Sequence, residues 1–510
     1  MNDKFPELVF GLVGAIGTNL ELVQQCLSEQ LSTVGYVPVD IRLSDLIREL
    51  SELNPKWYQF PGRTEERYYE LAMDGGNKLR ADLNRADAVA GLAMASIKRR
   101  RMKNKLAEKL PPKRAYILTS LKRPEEVSLL RDVYGASLFI ISAYSPRSTR
   151  VDRLASQLAE KEFHNRIAAH RAHAEALIMR DEDESGEFGQ DVRETFPLGD
   201  LFVDTSRVTD CTEAIERFIR LVFGDPWRTP SRDEQGMAFA QLASLRSGSP
   251  SRQVGAALSD YRGDLLAIGV NEVPCPDGGQ YWEGDNPDGR DFMYDRADTS
   301  DRMRRNLLSD VLRRLKELDV FNDKGSDYNQ LLDAKSESFR LLRKAQLFDT
   351  IDFIRAVHAE ASALFGASGR TPNSTLYVTT FPCHECARHI VACGVKRVVY
   401  IEPYPKSLVA ELFRDSITVD QDDTSPGKVH FNPFTGISPT TYQQLFLLTK
   451  KQRKAKDGTL IRWGAQNALP HLHISYSERA TETAETEKLS KFQDDLKREG
   501  ISDDSVSRTT

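Results

Sequence analysis

"STLYVTTFPCHECARHIVACGVKRVVYIE", Ser374 to Glu402, decides the fold of the C-terminal half of this chain. A run of apolar and β-branched residues gives way to a proline, two cysteines three apart, an amphipathic stretch, a glycine and a second apolar run. That succession predicts strand, helix and strand, the repeating element of an α/β sheet. Cys383 and Cys386 open the helix, where both thiolates share one face and the N-terminal dipole favours their anionic form. Six cysteines in 510 residues are too sparse for a disulfide scaffold, so the pair points to a metal.

Outward from the pair, His358-Ala-Glu360 precedes it by about two dozen residues, with one apolar strand between. His358 completes a set of three ligands with Cys383 and Cys386. Three protein ligands leave the fourth tetrahedral position of Zn2+ to water, as in catalytic sites, whereas structural zinc takes four. H-x-E followed by P-C-x-x-C is the signature of the zinc nucleobase deaminases, and the likeness implies hydrolytic loss of ammonia from an amino-pyrimidine or amino-purine. Glu360 is then the catalytic proton shuttle, base and acid in turn. His384 and His389 are read as helix-face residues outside the ligand set. Two other readings stay open: a structural-zinc protein that binds nucleic acid, and a deaminase that edits bases within RNA or single-stranded DNA. The second needs a basic, aromatic-lined channel that a net charge of -5 does not advertise.

The N-terminal half has its own rhythm. "LVFGLVG", "GYVPVDI", "ADAVAGLAMA", "RAYILTS", "SLFIISA" and "DLFVDT" are strand candidates between amphipathic stretches, which predicts a doubly wound parallel sheet over residues 1–225. "FGDPWRTPSRDE" (Phe223 to Glu234) is the best boundary, and a second domain is expected over 226–475, with a charged helical insertion at about 286–348. The polar tail 476–510 is expected to be poorly ordered. The early apolar run Leu8 to Gly17 is too short to span a membrane, and a cytoplasmic protein is expected.

From Glu234 to about Phe446 the chain resembles the deoxycytidylate deaminase family, through "SRQVGAALSD", "AIGVNEVP", "VHAE", "TTFPCHECARHIV", "GVKRVVYIEPYP" and the long insertion before the histidine. The resemblance implies an α/β/α cytidine-deaminase-like domain in which Asn271 contacts the deoxyribose. Arg246 or Arg252, on either side of the turn "SGSPS", is the candidate phosphate partner, and Tyr404 a candidate for the base pocket. Cys275 is read as a lone thiol.

"FGLVGAIGTNLE", Phe10 to Glu21, has the outline of a phosphate-binding loop, but Leu20 and Glu21 stand where a kinase carries its lysine and hydroxyl. The amides of Gly14, Ala15, Ile16, Gly17 and Thr18 are the candidate nucleotide-binding loop. With Arg147 and Arg150 in the position of lid arginines, the N-terminal half is similar to P-loop kinases in layout but not in catalytic residues. The run "KRRRMKNK" (Lys98 to Lys105) reads as a solvated helix face or a contact for phosphates or RNA. A degenerate kinase-like domain fused to such a deaminase resembles the bacterial antiphage dCTP deaminases. That resemblance implies conversion of dCTP, dCMP or both to deoxyuridine forms. It also implies control through the N-terminal domain by a nucleotide, a phage product or an inhibitory RNA, and a homo-oligomer. Whether dCTP or dCMP is preferred does not follow from the sequence.

Overall fold

A computed structural model describes residues 5–62, 67–107, 113–161, 167–184, 186–294, 299–318, 331–333, 335–349, 353–403, 407–419, 426–448, 453–472 and 478–501, the side chains of 103–107, 161, 294, 346, 349, 478 and 479 excepted. The chain divides into two units, Met1–Glu234 with Phe434–Thr510, and Gln235–Pro433.

In the first unit, β1 (Leu8–Val13), β2 (Val37–Arg42), β3 (Arg114–Leu121), β4 (Leu138–Tyr144) and β5 (Leu201–Asp204) run parallel in the order β5-β4-β1-β3-β2. β1 is buried at every residue and β4 at all but its last, because helices cover both faces of the sheet. One strand candidate is overturned: "ADAVAGLAMA" lies in the helix Ala88–Ala107. Ala88 to Ala90 and Leu92 to Ile97 are all buried, so no polar face reveals the helical period, and alanine is the strongest helix former.

The C-terminal segment differs from the sequence expectation. Residues from Phe434 onward return to the first unit, where the short strand Gly436–Ile437 pairs antiparallel with β5 and Ile437, Leu445 and Leu472 join one core layer. The polar tail is not without structure, for Glu478–Arg498 forms a helix. Leu489, Phe492 and Leu496 occupy one stripe of it and enter the other core layer. The Phe492 ring lies on Gly91, where a Cβ would stand 2.8 Å from it. Glu485, fully buried, accepts from Arg101 Nη1 (2.6 Å) and from the Tyr134 hydroxyl (2.8 Å), while Arg101 Nε reaches Glu7 (2.7 Å). Arg101 of the basic run is therefore an internal anchor and not a solvated side chain.

The second unit holds β6 (Gly255–Ser259), β7 (Leu265–Val270), β8 (Thr375–Thr380), β9 (Arg397–Glu402), β10 (Ile417–Val419) and β11 (Val429–Pro433) in the order β10-β11-β9-β8-β6-β7. β8, β9, β11 and β10 are mutually parallel, and β6 is antiparallel to both of its neighbours. The insertion contributes the helices Asp291–Tyr294, Thr299–Glu317 and Glu337–Leu342, with a small core of Leu308, Leu312, Phe339 and Phe348.

Candidate active site

Two helix starts build the site. His358 caps the helix Ala359–Gly366, and Cys383 caps the helix His384–Ala392 that follows β8. The first helix sits close on β7 because Gly269 has no side chain; a Cβ there would come within 2.1 Å of Ala359 O and 2.4 Å of Ala363 N. At the second start the Cys386 amide donates to Cys383 Sγ at 3.4 Å, which holds the thiolate over the helix N-terminus.

His358 Nδ1 lies 3.3 Å from Cys383 Sγ and 3.3 Å from Cys386 Sγ. A tetrahedral zinc with bonds of about 2.3 Å to sulfur and about 2.0–2.1 Å to nitrogen needs such atoms about 3.5 Å apart, so the donor set fits zinc in both chemistry and spacing. It is the one group of three or more metal-ligating side chains among the described residues, and Cys275 has no part in it.

The electrostatics are those of a crowded, dry cluster. Burial opposes a charge on His358, but the hydrogen bond to Cys383 and the charge of Glu360 outweigh it and push the imidazole up to about 9. The hydrogen bond from Cys386, with that from His358, draws the Cys383 thiol down to about 4, while Cys386, donating to Cys383 and buried, is held well above its ordinary value. Glu360, 4% exposed, is pushed up to about 7 by burial, against the pull of His358. A dication among these ligands draws the protons off thiols and imidazole alike.

The cluster opens into a cavity of about 440 Å³ that includes His358, Glu360 and Cys383. Of the residues expected there, Asn271 and Arg252 line it. Asn271 Oδ1 accepts from the Val254 amide (2.8 Å) and its Nδ2 donates to Arg252 O (2.8 Å), so this side chain also fixes the turn that carries Arg252. Arg252 pairs with Glu402 at 3.0 Å. Arg246 is not brought to the cavity; its guanidinium stacks 3.8 Å over the Trp282 ring and donates to Gln280. A planar, weakly hydrated guanidinium stacks readily on an aromatic face, and a sequence offers no sign of the ring it meets. Tyr404 lies outside the described residues.

Other lining residues escaped the sequence reading. Arg355, three residues before His358, pairs with Asp291 at 3.4 Å. Phe381 lines the wall, packed edge-on against Tyr400 at 4.8 Å between ring centroids. Thr299, Ser300 and Arg304 come from the insertion, whose charged helical period gave no hint of a role at the site.

In the first unit the loop Gly14–Thr18 borders a cavity of about 290 Å³ with Arg80, Lys122, Arg153 and Asp181. Its amides are not all open to an anion. The Ile16 amide donates to the carboxylate of fully buried Asp181 at 2.7 Å, and Lys122 Nζ bridges that carboxylate (2.9 Å) and Gly14 O (3.1 Å). Gly17, at φ 88°, leaves no room for a Cβ, which would stand 2.6 Å from Arg150 O. Arg147 and Arg150, read as lid arginines, both pair with Glu182.

Residues 230–402 match the family described as the cytidine and deoxycytidylate deaminase zinc-binding region. A probable deoxycytidylate deaminase of Drosophila melanogaster is 29% identical over 171 residues, 33% of this chain and 58% of the relative. ComE operon protein 2 of Bacillus subtilis (strain 168) is 38% identical over 72 residues, 13% of this chain and 38% of the relative. The chain thus spans less than two thirds of either relative. The dCMP deaminase of cyanophage S-TIM5, solved with dCMP and dUMP, aligns with 41% of this chain and 99% of its own at 20% identity and a TM-score of 0.22. The family match, with the His358, Cys383 and Cys386 cluster inside it, supports nucleotide deamination by the second unit. Among the described residues no helix is long and apolar enough to cross a membrane.

Proposed function

We propose that the second unit is a zinc-dependent deaminase of free deoxycytidine nucleotides, converting dCTP, dCMP or both to the deoxyuridine forms plus ammonia. The observation that carries this reading is a buried carboxyl, Glu360, two residues from the ligand histidine and on the wall of the same cavity. Zinc, when held by His358, Cys383 and Cys386, supplies a Lewis acid that makes water a nucleophile at neutral pH. Glu360 takes one proton from the attacking water to the ring nitrogen as the hydroxyl adds to the carbon, then carries the second proton from that hydroxyl to the departing amine as the carbonyl forms and the C–N bond breaks. The apolar wall of Phe353, Ile354 and Phe381 orients the base and keeps bulk water from the cleaving bond, while Asn271 presents the turn that carries Arg252 to the sugar and phosphate side.

In the same reading the cell loses a DNA precursor when the enzyme is active, which starves an infecting phage. The first unit then restrains the deaminase through its loop cavity, which a nucleotide, a phage product or an inhibitory RNA addresses. A homo-oligomer acting in the cytoplasm completes the picture; every described cysteine is a free thiol, as a reducing compartment keeps them.

The test is Glu360→Gln in the full chain, with zinc content measured beside ammonia release from dCTP, dCMP, CTP, deoxycytidine and single-stranded DNA. The expected variant retains zinc and loses about 10²–10⁴-fold in rate. Undiminished turnover in the variant rejects the role of Glu360, and turnover of the polymer alone favours an editing deaminase. Plaque counts and dCTP pools in cells carrying wild type or Glu360→Gln check the defence reading, which equal plaque counts would remove.

A further inference from the structure

The cavity over the zinc ligands has two polar walls of different origin. One is the turn Ser249–Arg252 of the α/β core, held by Asn271. The other is the first turns of the insertion helix Thr299–Glu317, which present Thr299, Ser300 and Arg304. Residues 300 and 304 are one turn apart on a helix and so share a face. Three guanidinium groups, of Arg252, Arg304 and Arg355, line the cavity against two carboxyls, of Asp291 and Glu360, and five hydroxyls stand among them on Ser249, Ser251, Thr299, Ser300 and Thr380. Thr299 Oγ1 is buried with no hydrogen-bond partner among the described residues. A buried hydroxyl without a partner is a cost that a bound acceptor removes.

Such a lining suits an anion larger than one phosphate. Arg252 and Arg355 pair with Glu402 and Asp291 respectively, which holds each guanidinium in place to donate to one phosphate, and three phosphates call for more donors than these two supply. The insertion adds a third guanidinium and two hydroxyls to the lining, and the volume of about 440 Å³ lies in the range of sites that enclose a whole small ligand.

Resting on the deaminase reading, we infer that the insertion helix is a phosphate-counting wall: Arg304, with Thr299 and Ser300, holds the β- and γ-phosphates of a deoxycytidine triphosphate, while the Ser249–Arg252 turn holds the α-phosphate. Arg304 is a specificity residue that touches substrate away from the reacting ring. The insertion is thereby what turns a monophosphate site into a triphosphate site.

The test compares Arg304→Ala and Arg304→Lys with wild type in the full-length zinc-loaded protein, measuring kcat and KM for dCTP, dCMP and deoxycytidine. The expected loss in kcat/KM for dCTP exceeds that for deoxycytidine by roughly 10- to 100-fold, lies in KM, and is partly restored by lysine. Equal losses on all three substrates would reduce the helix to a structural part and overturn the inference, as would an unchanged KM for dCTP. Calorimetric binding of dCTP and dCMP to Glu360→Gln, with and without Arg304→Ala, separates the two layers of argument. Tighter binding of dCTP that depends on Arg304, where wild type itself releases no ammonia from any substrate, would sink the deaminase reading and keep the phosphate wall. Equal affinity for dCTP and dCMP would sink the wall and leave the deaminase standing.

Discussion

The docking of the C-terminal helix offers a sharp quantitative test, through Phe492→Ala. Phe492 is fully buried, its ring lies on Gly91 and the Arg85 guanidinium stands 5.6 Å from its centroid. Removing a buried phenylalanine ring costs about 3–5 kcal/mol, and the lost cation contact adds about 0.5–1 kcal/mol. At about 2–4 °C per kcal/mol for a unit of this size, the melting temperature of the first unit should fall by about 7–24 °C. Three of the four tryptophans, Trp57, Trp227 and Trp463, belong to that unit, so intrinsic fluorescence during thermal and urea unfolding reads it selectively. The loss has a ceiling, because a helix that has let go has nothing more to lose. Leu489→Ala combined with Phe492→Ala should therefore cost less than the sum of the single changes. A change below about 0.5 kcal/mol for Phe492→Ala is what an exposed site gives, and it would refute the docked helix.

Other outcomes follow from the same contacts. Gly269→Ala forces the helix Ala359–Gly366 off β7, so it should lower both deaminase activity and zinc affinity, the latter read by competition with a chromogenic chelator; an alanine variant with wild-type zinc affinity would contradict the close packing. Chelation should abolish turnover and destabilise the second unit, by about 2.7 kcal/mol where free zinc had stood at a hundred times its Kd, with a lower melting temperature and recovery on adding Zn2+ but not Mg2+. Burial raises the Asp200 carboxyl above its ordinary 3.8, against the opposing pull of Arg131 and the Ile140 amide. The folded state then holds this proton more tightly than the unfolded state. Wild type should gain stability relative to Asp200→Asn as pH falls from 7 through the raised folded value, levelling off below 3.8, and a flat difference in urea titrations would contradict the shift.

The sequence is most legible where chemistry and periodicity coincide. His358, Glu360, Cys383 and Cys386, which the structure brings together, fall within two short stretches, because a helix start fixes the relation of each to its neighbours, and β8 and β9 are betrayed by their β-branched runs. The helix Ala88–Ala107 is opaque because burial on every side erases its polar face. The C-terminal helix is opaque for the opposite reason: Leu489, Phe492 and Leu496 are too few among charges to stand out, although their spacing of three and four is helical. Arg246 and Arg252 look equivalent in sequence, and only the position of Trp282 separates the stacked one from the one at the cavity. Long-range partners of this kind, like Asp181 under the loop amide of Ile16, leave no local trace.

The return of the chain to its first unit sets an order of assembly. β5 and the pit over Gly91 are synthesised early, but the strand Gly436–Ile437 and the helix Glu478–Arg498 that close them come after the whole of the second unit. From Glu234 to Gly436 is 436 − 234 = 202 residues, on the order of 10–40 s at the ribosome. For that interval the nascent first unit shows an open sheet edge and an unfilled apolar pit, the features that invite mispairing and chaperone capture. The unit that carries the His358, Cys383 and Cys386 cluster faces no such wait, since all of its strands have been made before the first unit can close.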